Sequence, residues 1–128
     1  MELKPKVRVY VSDDSPLIRE RVGELLARHE MEVVGEGVEP QQCVDGILAT
    51  QPDVVLLDHQ LEGGTGLQVL QRVREQRPGT PFVVFSNNSA DAYKRRYLAA
   101  GASCFLDKAH DFAQLPEALL LAFRAVGA

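Results

Sequence analysis

Five polar residues stand at the ends of apolar runs. Asp13 and Asp14 follow KVRVYVS, Asp58 follows DVVLL, Ser86 closes PFVVFS and Lys108 follows SCFLD. Each alone has an ordinary explanation. Acids ahead of a helix favour the positive end of its dipole. A carboxylate after a strand is commonly a turn residue. A terminal serine can simply end its strand, and a loop lysine is normally solvated. Gathered in one place, the same groups have a chemistry. Three neighbouring carboxylates repel one another, and their ionised forms become comfortable only with a cation between them. An all-oxygen set suits Mg²⁺, which keeps some of its waters and prefers one or two carboxylates plus phosphate oxygens. A lysine ammonium is a compact point charge suited to phosphate, and serine adds a neutral donor. Around one carboxylate, this is what phosphoryl transfer needs, namely positioning and charge neutralisation. Asp58 would then be the nucleophile.

Whether the five groups meet depends on the elements that carry them. KVRVYV (6–11) is rich in β-branched residues and reads as a strand. Ser15 followed by Pro16 is a helix start, and Ile18, Val22, Leu25 and Leu26 recur on one helical face. MEVVGEGV (31–38) reads as a second strand. Pro40 opens a helix carrying Cys43, Val44, Ile47 and Leu48, and Pro52 lies in the loop before DVVLLD. Val54–Leu57 is unbroken apolar sequence, which suits a strand buried on both faces. EGGTG (62–66) is a turn, and Leu67, Leu70 and Val73 mark a third helix. PFVVFS (81–86) is a fourth strand. Ser89 is placed to cap a helix through ADAYKRRYLAA, with Gly101 at its C′ position. SCFLD (103–107) is a fifth strand. Phe112, Leu115, Leu119, Phe123 and Val126 form the apolar face of the last helix.

Five strands alternating with five helices imply parallel βαβ units, with helices on both faces of one sheet. Small doubly wound α/β sheets of this kind commonly use the order 2-1-3-4-5, with the ligand crevice outside the carboxyl ends of the strands, near strands 1 and 3. All five polar residues fall at those ends.

Composition bounds the alternatives. The chain has 128 residues, a formal net charge of −4 and 45% apolar residues, as for one ordinary globular domain. The acidic balance argues against a general nucleic-acid-binding surface. No run is long enough to cross a bilayer, and there is no signal-peptide pattern, so no membrane association and a cytoplasmic location are expected. Cys43 and Cys104 are far apart and outside any CxxC pair, and read as buried reduced thiols. His29, His59 and His110 show no metal-ligand spacing and read as surface or helix-end residues. No GxGxxG or GxxxxGK[ST] loop is present to hold a nucleotide.

At this point the sequence resembles a receiver domain of the two-component response-regulator (CheY-like) family. The resemblance covers essentially the whole chain, 1–128. It rests on VSDDSPLIRE, on LLDHQLEGGTG with Gly66 eight residues after Asp58, on VVFS and on CFLDK. Each motif is weak alone. Together, in this order and at these strand ends, they are strong. The resemblance implies that Asp58 accepts a phosphoryl group from a sensor histidine kinase or phosphotransfer protein. It implies Mg²⁺ held by Asp14, by Asp13 partly through water, by Asp58 and by the backbone carbonyl of Gln60. Ser86 and Lys108 would each engage a phosphoryl oxygen, and Phe105 would occupy an aromatic switch position. For Phe105, simple core packing is an equal alternative. A downstream protein would dock on the face built from helix 4, strand 5 and helix 5, which carries Tyr93, Tyr97 and the basic run Lys94–Arg96. That run reads as a solvated face, not a nucleic-acid site. Such a chain catalyses its own phosphorylation and dephosphorylation without being a conventional turnover enzyme. Since Ala128 follows the fifth helix closely, no output domain is expected.

Several positions depart from the family pattern. Glu62 stands where proline is frequent, which predicts a looser loop after Asp58. Asn87 replaces a usually small residue, and Asp107 a usually aliphatic one. Phe105 lacks the hydroxyl of the commoner tyrosine. Ala109 replaces a proline usually joined to the lysine by a cis peptide. A non-proline cis bond costs about 2.5–4 kcal/mol, so energy alone favours trans. None of these removes a group the chemistry requires. Two rivals are a degenerate receiver acting as a phosphorylation-independent interaction module, and a phosphatase using a carboxylate after strand 1. The first must explain why all five groups are present. The second wants an acid two residues after the first, where this chain has Ser15.

Overall fold

The structure, a computed structural model, describes residues 6–88 and 90–127. Five parallel strands form the sheet: β1 (Val7–Ser12), β2 (Met31–Gly37), β3 (Val54–Leu57), β4 (Phe82–Ser86) and β5 (Cys104–Asp107). Their order across the sheet is 2-1-3-4-5, as the alternation predicts. The helices are α1 (Pro16–Ala27), α2 (Pro40–Thr50), α3 (Gly66–Gln76), α4 (Asp91–Ala99) and α5 (Leu115–Gly127).

Local chemistry sets the helix ends. The Ser15 hydroxyl accepts the Ile18 amide and Pro16 follows it in the first turn of α1. Thr65 and Gln68 form a capping box at the start of α3. Gly101 ends α4 with φ +102, its amide on Leu98 and the next amide on Tyr97, which is a Schellman closure. Ala90 occupies the N-cap position of α4; the expected cap, Ser89, lies outside the described residues.

Strand pleating sorts the apolar side chains onto two faces. Val9, Val54, Leu56, Val83 and Phe85 face one side and pack with Val22 and Leu26 of α1 and Leu115 and Leu119 of α5. Tyr10, Val55, Leu57, Phe82 and Val84 face the other and pack with Ile47 of α2, Val69, Leu70 and Val73 of α3 and Tyr97 of α4. β3 is buried throughout, because helices cover both of its faces. Two details differ from the sequence expectation. Phe112 precedes the last helix in a short 3₁₀ turn, Phe112–Gln114, and Val126 is 54% exposed. Val126 lines a groove with Pro52, Pro81 and Phe123 and is open to solvent there.

The register brings the carboxyl ends of the strands level. Ser12 pairs beside Leu57, Leu57 beside Val84, and Ser86 beside Asp107. The backbone carries the alignment one residue further, since the Asp58 amide donates to the Ser12 carbonyl at 2.9 Å and the Lys108 amide to the Ser86 carbonyl at 3.0 Å. The residues that follow the strands therefore emerge side by side.

After β3 the chain makes a small antiparallel hairpin, Gln60–Leu61 against Gly64–Thr65, turning through Gly63 at φ +77. The looser loop expected from Glu62 is not found. The Glu62 amide donates to the Val38 carbonyl at 2.8 Å, a bond that proline lacks the N–H to make. At Gly66 the backbone passes so close to the Asp58 carbonyl that any Cβ would collide with it. The Gly66 spacing after Asp58 is thus a packing requirement.

Candidate functional site

Carboxylate oxygens of Asp13, Asp14 and Asp58 lie within 4.8 Å of one another at the sheet edge. Asp13 and Asp58 are buried and Asp14 is exposed. Asp13 is held from several sides. Its side chain accepts the Ser15 amide at 2.9 Å, its amide donates to the Gly37 carbonyl, and its carbonyl accepts Arg19.

Lys108 reaches across from the end of β5. Its ammonium donates to Asp13 Oδ2 at 2.7 Å and to Asp58 Oδ2 at 2.9 Å, and its side chain is only 7% exposed. One buried cation thus bridges two buried anions. Burial alone lowers the pKa of the Lys108 ammonium, but its hydrogen bonds and charge contacts with Asp13 and Asp58 outweigh that and leave it raised. Burial raises the Asp58 carboxyl pKa. The Lys108 charge and the Gln60 amide pull it down and the Asp13 charge pushes it up, and the outcome is a carboxyl above its usual range.

A cleft of about 600 Å³ opens beside these groups, lined among others by Asp58, Gln60, Thr65, Ser86, Asn87 and Tyr93. Ser86 is buried, and its hydroxyl accepts the Asn88 amide at 3.2 Å. Asn87 is exposed on the rim of the cleft. The peptide after Lys108 is trans, as its energy favours. Asp107 supports that geometry, since its carboxylate accepts the Ala109 amide at 2.7 Å while its own amide donates to Asp111. Sequence reasoning noted Asp107 only as a departure; here it closes the turn that carries Lys108.

Three further expectations change. His59 is not a free surface residue: it lines the cleft and packs against α4. It is partly buried, its Nδ1 lies 2.5 Å from the Tyr97 hydroxyl, and its ring lies tilted against Tyr93 with centroids 4.4 Å apart. Burial lowers its pKa. Tyr97 is fully buried and cannot form part of a docking surface. Its ring faces the sheet, where it packs 5.9 Å from Phe105, and burial raises its phenol pKa. Phe105 is partly buried against the same cluster. Cys104 is also only partly buried, whereas Cys43 is fully so.

The donor set fits a hard divalent cation. It offers oxygens only, two of them on buried acids and one on an exposed acid that a cation from solvent meets first. No helix among the described residues is long and apolar enough to cross a membrane.

Comparison with known proteins agrees with this geometry. Residues 9–120 match the model of the response regulator receiver domain. The chain is 32% identical over 123 residues to the uncharacterized transcriptional regulatory protein YxjL of Bacillus subtilis, covering 95% of this chain and 55% of that one. It therefore spans about half the length of that curated relative. Among solved structures, the signal receiver domain of the putative response regulator NarL from Mycobacterium tuberculosis superposes with TM-score 0.88 and 34% identity, covering 94% of this chain and 98% of that one. The BeF3-activated receiver domain of Klebsiella pneumoniae RstA gives TM-score 0.83 and 29% identity, covering 91% and 98%.

Proposed function

The chain belongs to the response regulator receiver domain family, and on that premise we propose that Asp58 takes a phosphoryl group from the phosphohistidine of a sensor kinase or phosphotransfer protein. The observation that carries this reading is the cluster of three carboxylates within 4.8 Å, two of them bridged by the buried ammonium of Lys108. Two-component signalling by an aspartyl phosphate accounts for that cost in charge burial.

In the transfer, a carboxylate oxygen of Asp58 attacks phosphorus and the bond to the donor imidazole nitrogen breaks. The electron pair leaves with the imidazole. Asp13, Asp14, Asp58 and the Gln60 carbonyl would hold Mg²⁺, which supplies positive charge to the phosphoryl oxygens. Lys108 already sits on Asp58 Oδ2 and needs little movement to pair with a phosphoryl oxygen. Ser86, buried on the cleft wall, donates its hydroxyl to another. Little covalent work is left to the protein, and positioning with charge neutralisation carries the rate.

Intact-mass measurement after incubation with acetyl phosphate and Mg²⁺ tests the reading. The expected result is one phosphoryl adduct, removed by hydroxylamine as an acyl phosphate should be. Steady release of phosphate from varied esters without an adduct would indicate a phosphatase. No adduct at all would indicate a receiver that acts by contact alone.

The metal assignment has its own test. A cation that binds only the folded state at ten times its dissociation constant stabilises it by about 1.4 kcal/mol. For a domain of this size that is a rise in Tm of about 5 °C. Asp14→Ala should lose most of this rise, because Asp14 is the solvent-facing acid of the three. A full Mg²⁺ response in the variant would place the metal elsewhere.

Output follows from the position of the groups that respond. Ser86 precedes α4 and Lys108 follows β5, so closing them on a phosphoryl group biases the face formed by α4, β5 and α5. Arg95, Arg96 and Leu98 of α4 and Leu121 of α5 are exposed. This face, without Tyr97, is where a downstream protein docks in this reading.

A further inference from the structure

We infer that His59 is a positioning residue which carries the state of Asp58 to α4 through the hydroxyl of Tyr97. The inference rests on the phosphoacceptor reading of Asp58 and goes beyond it, since it uses neither Ser86 nor any movement of Lys108.

His59 is covalently next to Asp58, and its ring contacts α4. Two residues one helical turn apart grip it there. Tyr93 lies against the ring at 4.4 Å, and the Tyr97 hydroxyl meets Nδ1 at 2.5 Å. On its other side the backbone is tied as well, because the His59 carbonyl accepts the Gly66 amide at the start of α3 at 2.8 Å. His59 is thus held on its α4 side and through its backbone, while its remaining surface lines the cleft. A shift of the Asp58–Gln60 backbone must break one of these contacts or carry α4 with it.

The polar part of the contact is specific. Tyr97 is fully buried, and its hydroxyl meets both His59 Nδ1 and the backbone of Leu67 at the start of α3, so removing the oxygen breaks both links. Packing alone asks for no oxygen at this position, and its aromatic neighbour Phe105 has none. The Tyr97 ring continues the path into β5, 5.9 Å from Phe105. The result is an unbroken line of contacts from the residue beside the phosphoacceptor to α4 and β5. Because the Phe105 ring lacks a hydroxyl, the polar connection of this chain lies on Tyr97.

Amide exchange on the full chain with Mg²⁺, with and without beryllofluoride, tests the inference. In the wild type, exchange should slow both at 58–66 and at 91–107. Tyr97→Phe keeps the ring and removes one oxygen. Its response at 58–66 should persist, while that at 91–107 falls about fivefold, the low end of usual coupling strengths. His59→Phe should reproduce this loss, and the double variant should add nothing further. His59→Asn keeps an acceptor near the position of Nδ1 and should recover part of the distal response, which a purely steric role of the ring does not predict. A wild-type response at 91–107 in Tyr97→Phe overturns the inference. No response at 58–66 in the wild type overturns the phosphoacceptor reading instead, so the two failures are distinguishable.

Discussion

Asp58→Asn will take up no phosphoryl group from acetyl phosphate under conditions that label the wild type. The amide is nearly isosteric with the carboxylate, so the cleft keeps its shape, but the nucleophile is gone. Asp13 and Asp14 remain beside it as carboxylates, and the experiment asks whether either can substitute. The expected answer is that neither does, since Asp58 and not Asp13 or Asp14 lines the cleft beside Ser86. The Asp13 side chain is committed to the Ser15 amide and to Lys108, and Asp14 faces solvent. The variant should be at least as stable as the wild type without Mg²⁺. Burial holds the Asp58 carboxyl above its usual range, so its ionised form is unfavourable in the fold, and asparagine removes that penalty. Labelling of Asp58→Asn equal to wild type, in a folded protein, would remove Asp58 from its role.

Lys108→Met will lose stability in the absence of Mg²⁺ and regain part of it when Mg²⁺ is added. Lys108 is the cation facing both buried acids, at 2.7 and 2.9 Å. Removing one member of a buried ionic group commonly costs 3–5 kcal/mol, because the charges left behind are uncompensated. Here the lower end, about 3 kcal/mol, applies, since the neighbouring cleft admits water. That corresponds to a fall in Tm of about 10 °C. In the proposed site Mg²⁺ would share Asp13 and Asp58 with Lys108, so its stabilising effect should be larger in the variant than in the wild type.

The pH dependence of this variant has a definite sign. Without Lys108, a group that lowers the Asp58 pKa is lost and the carboxyl rises further above its usual value. The folded state then binds more protons than the unfolded state. Stability falls as pH rises from the ordinary carboxylate value through the raised folded one. Urea unfolding across that window, with and without Mg²⁺, measures it. A variant as stable as the wild type, with an unchanged Mg²⁺ response, would show that the three carboxylates need no internal cation.

Much of this was legible in the residues. The alternation of apolar runs with helical stripes specified the parallel sheet, because strand and helix periods differ and neither pattern fits the other element. The strand order followed from the size and handedness of such sheets. The lone charges after apolar runs marked the edge where Asp13, Asp14, Asp58 and Lys108 now stand together. Thr65 followed by Gln68 three residues later is a capping-box pattern legible in the sequence, and it fixes the start of α3.

What the chain alone determined was therefore local or periodic: which segments form strands, which face of a helix is apolar, and which residues follow the strand ends. Only the tertiary structure decided where His59 points, that Tyr97 is buried with its hydroxyl on His59, that Val126 is exposed, and that Glu62 tightens its loop by donating to Val38. The contacts of His59, Tyr97 and Glu62 each depend on a partner distant in sequence. A histidine after a strand and a tyrosine beside three basic residues have the same composition whether they meet or face water. Burial and hydrogen bonding across 38 residues, from His59 to Tyr97, are set by how α4 lies on the sheet, and no spacing within either segment encodes that contact.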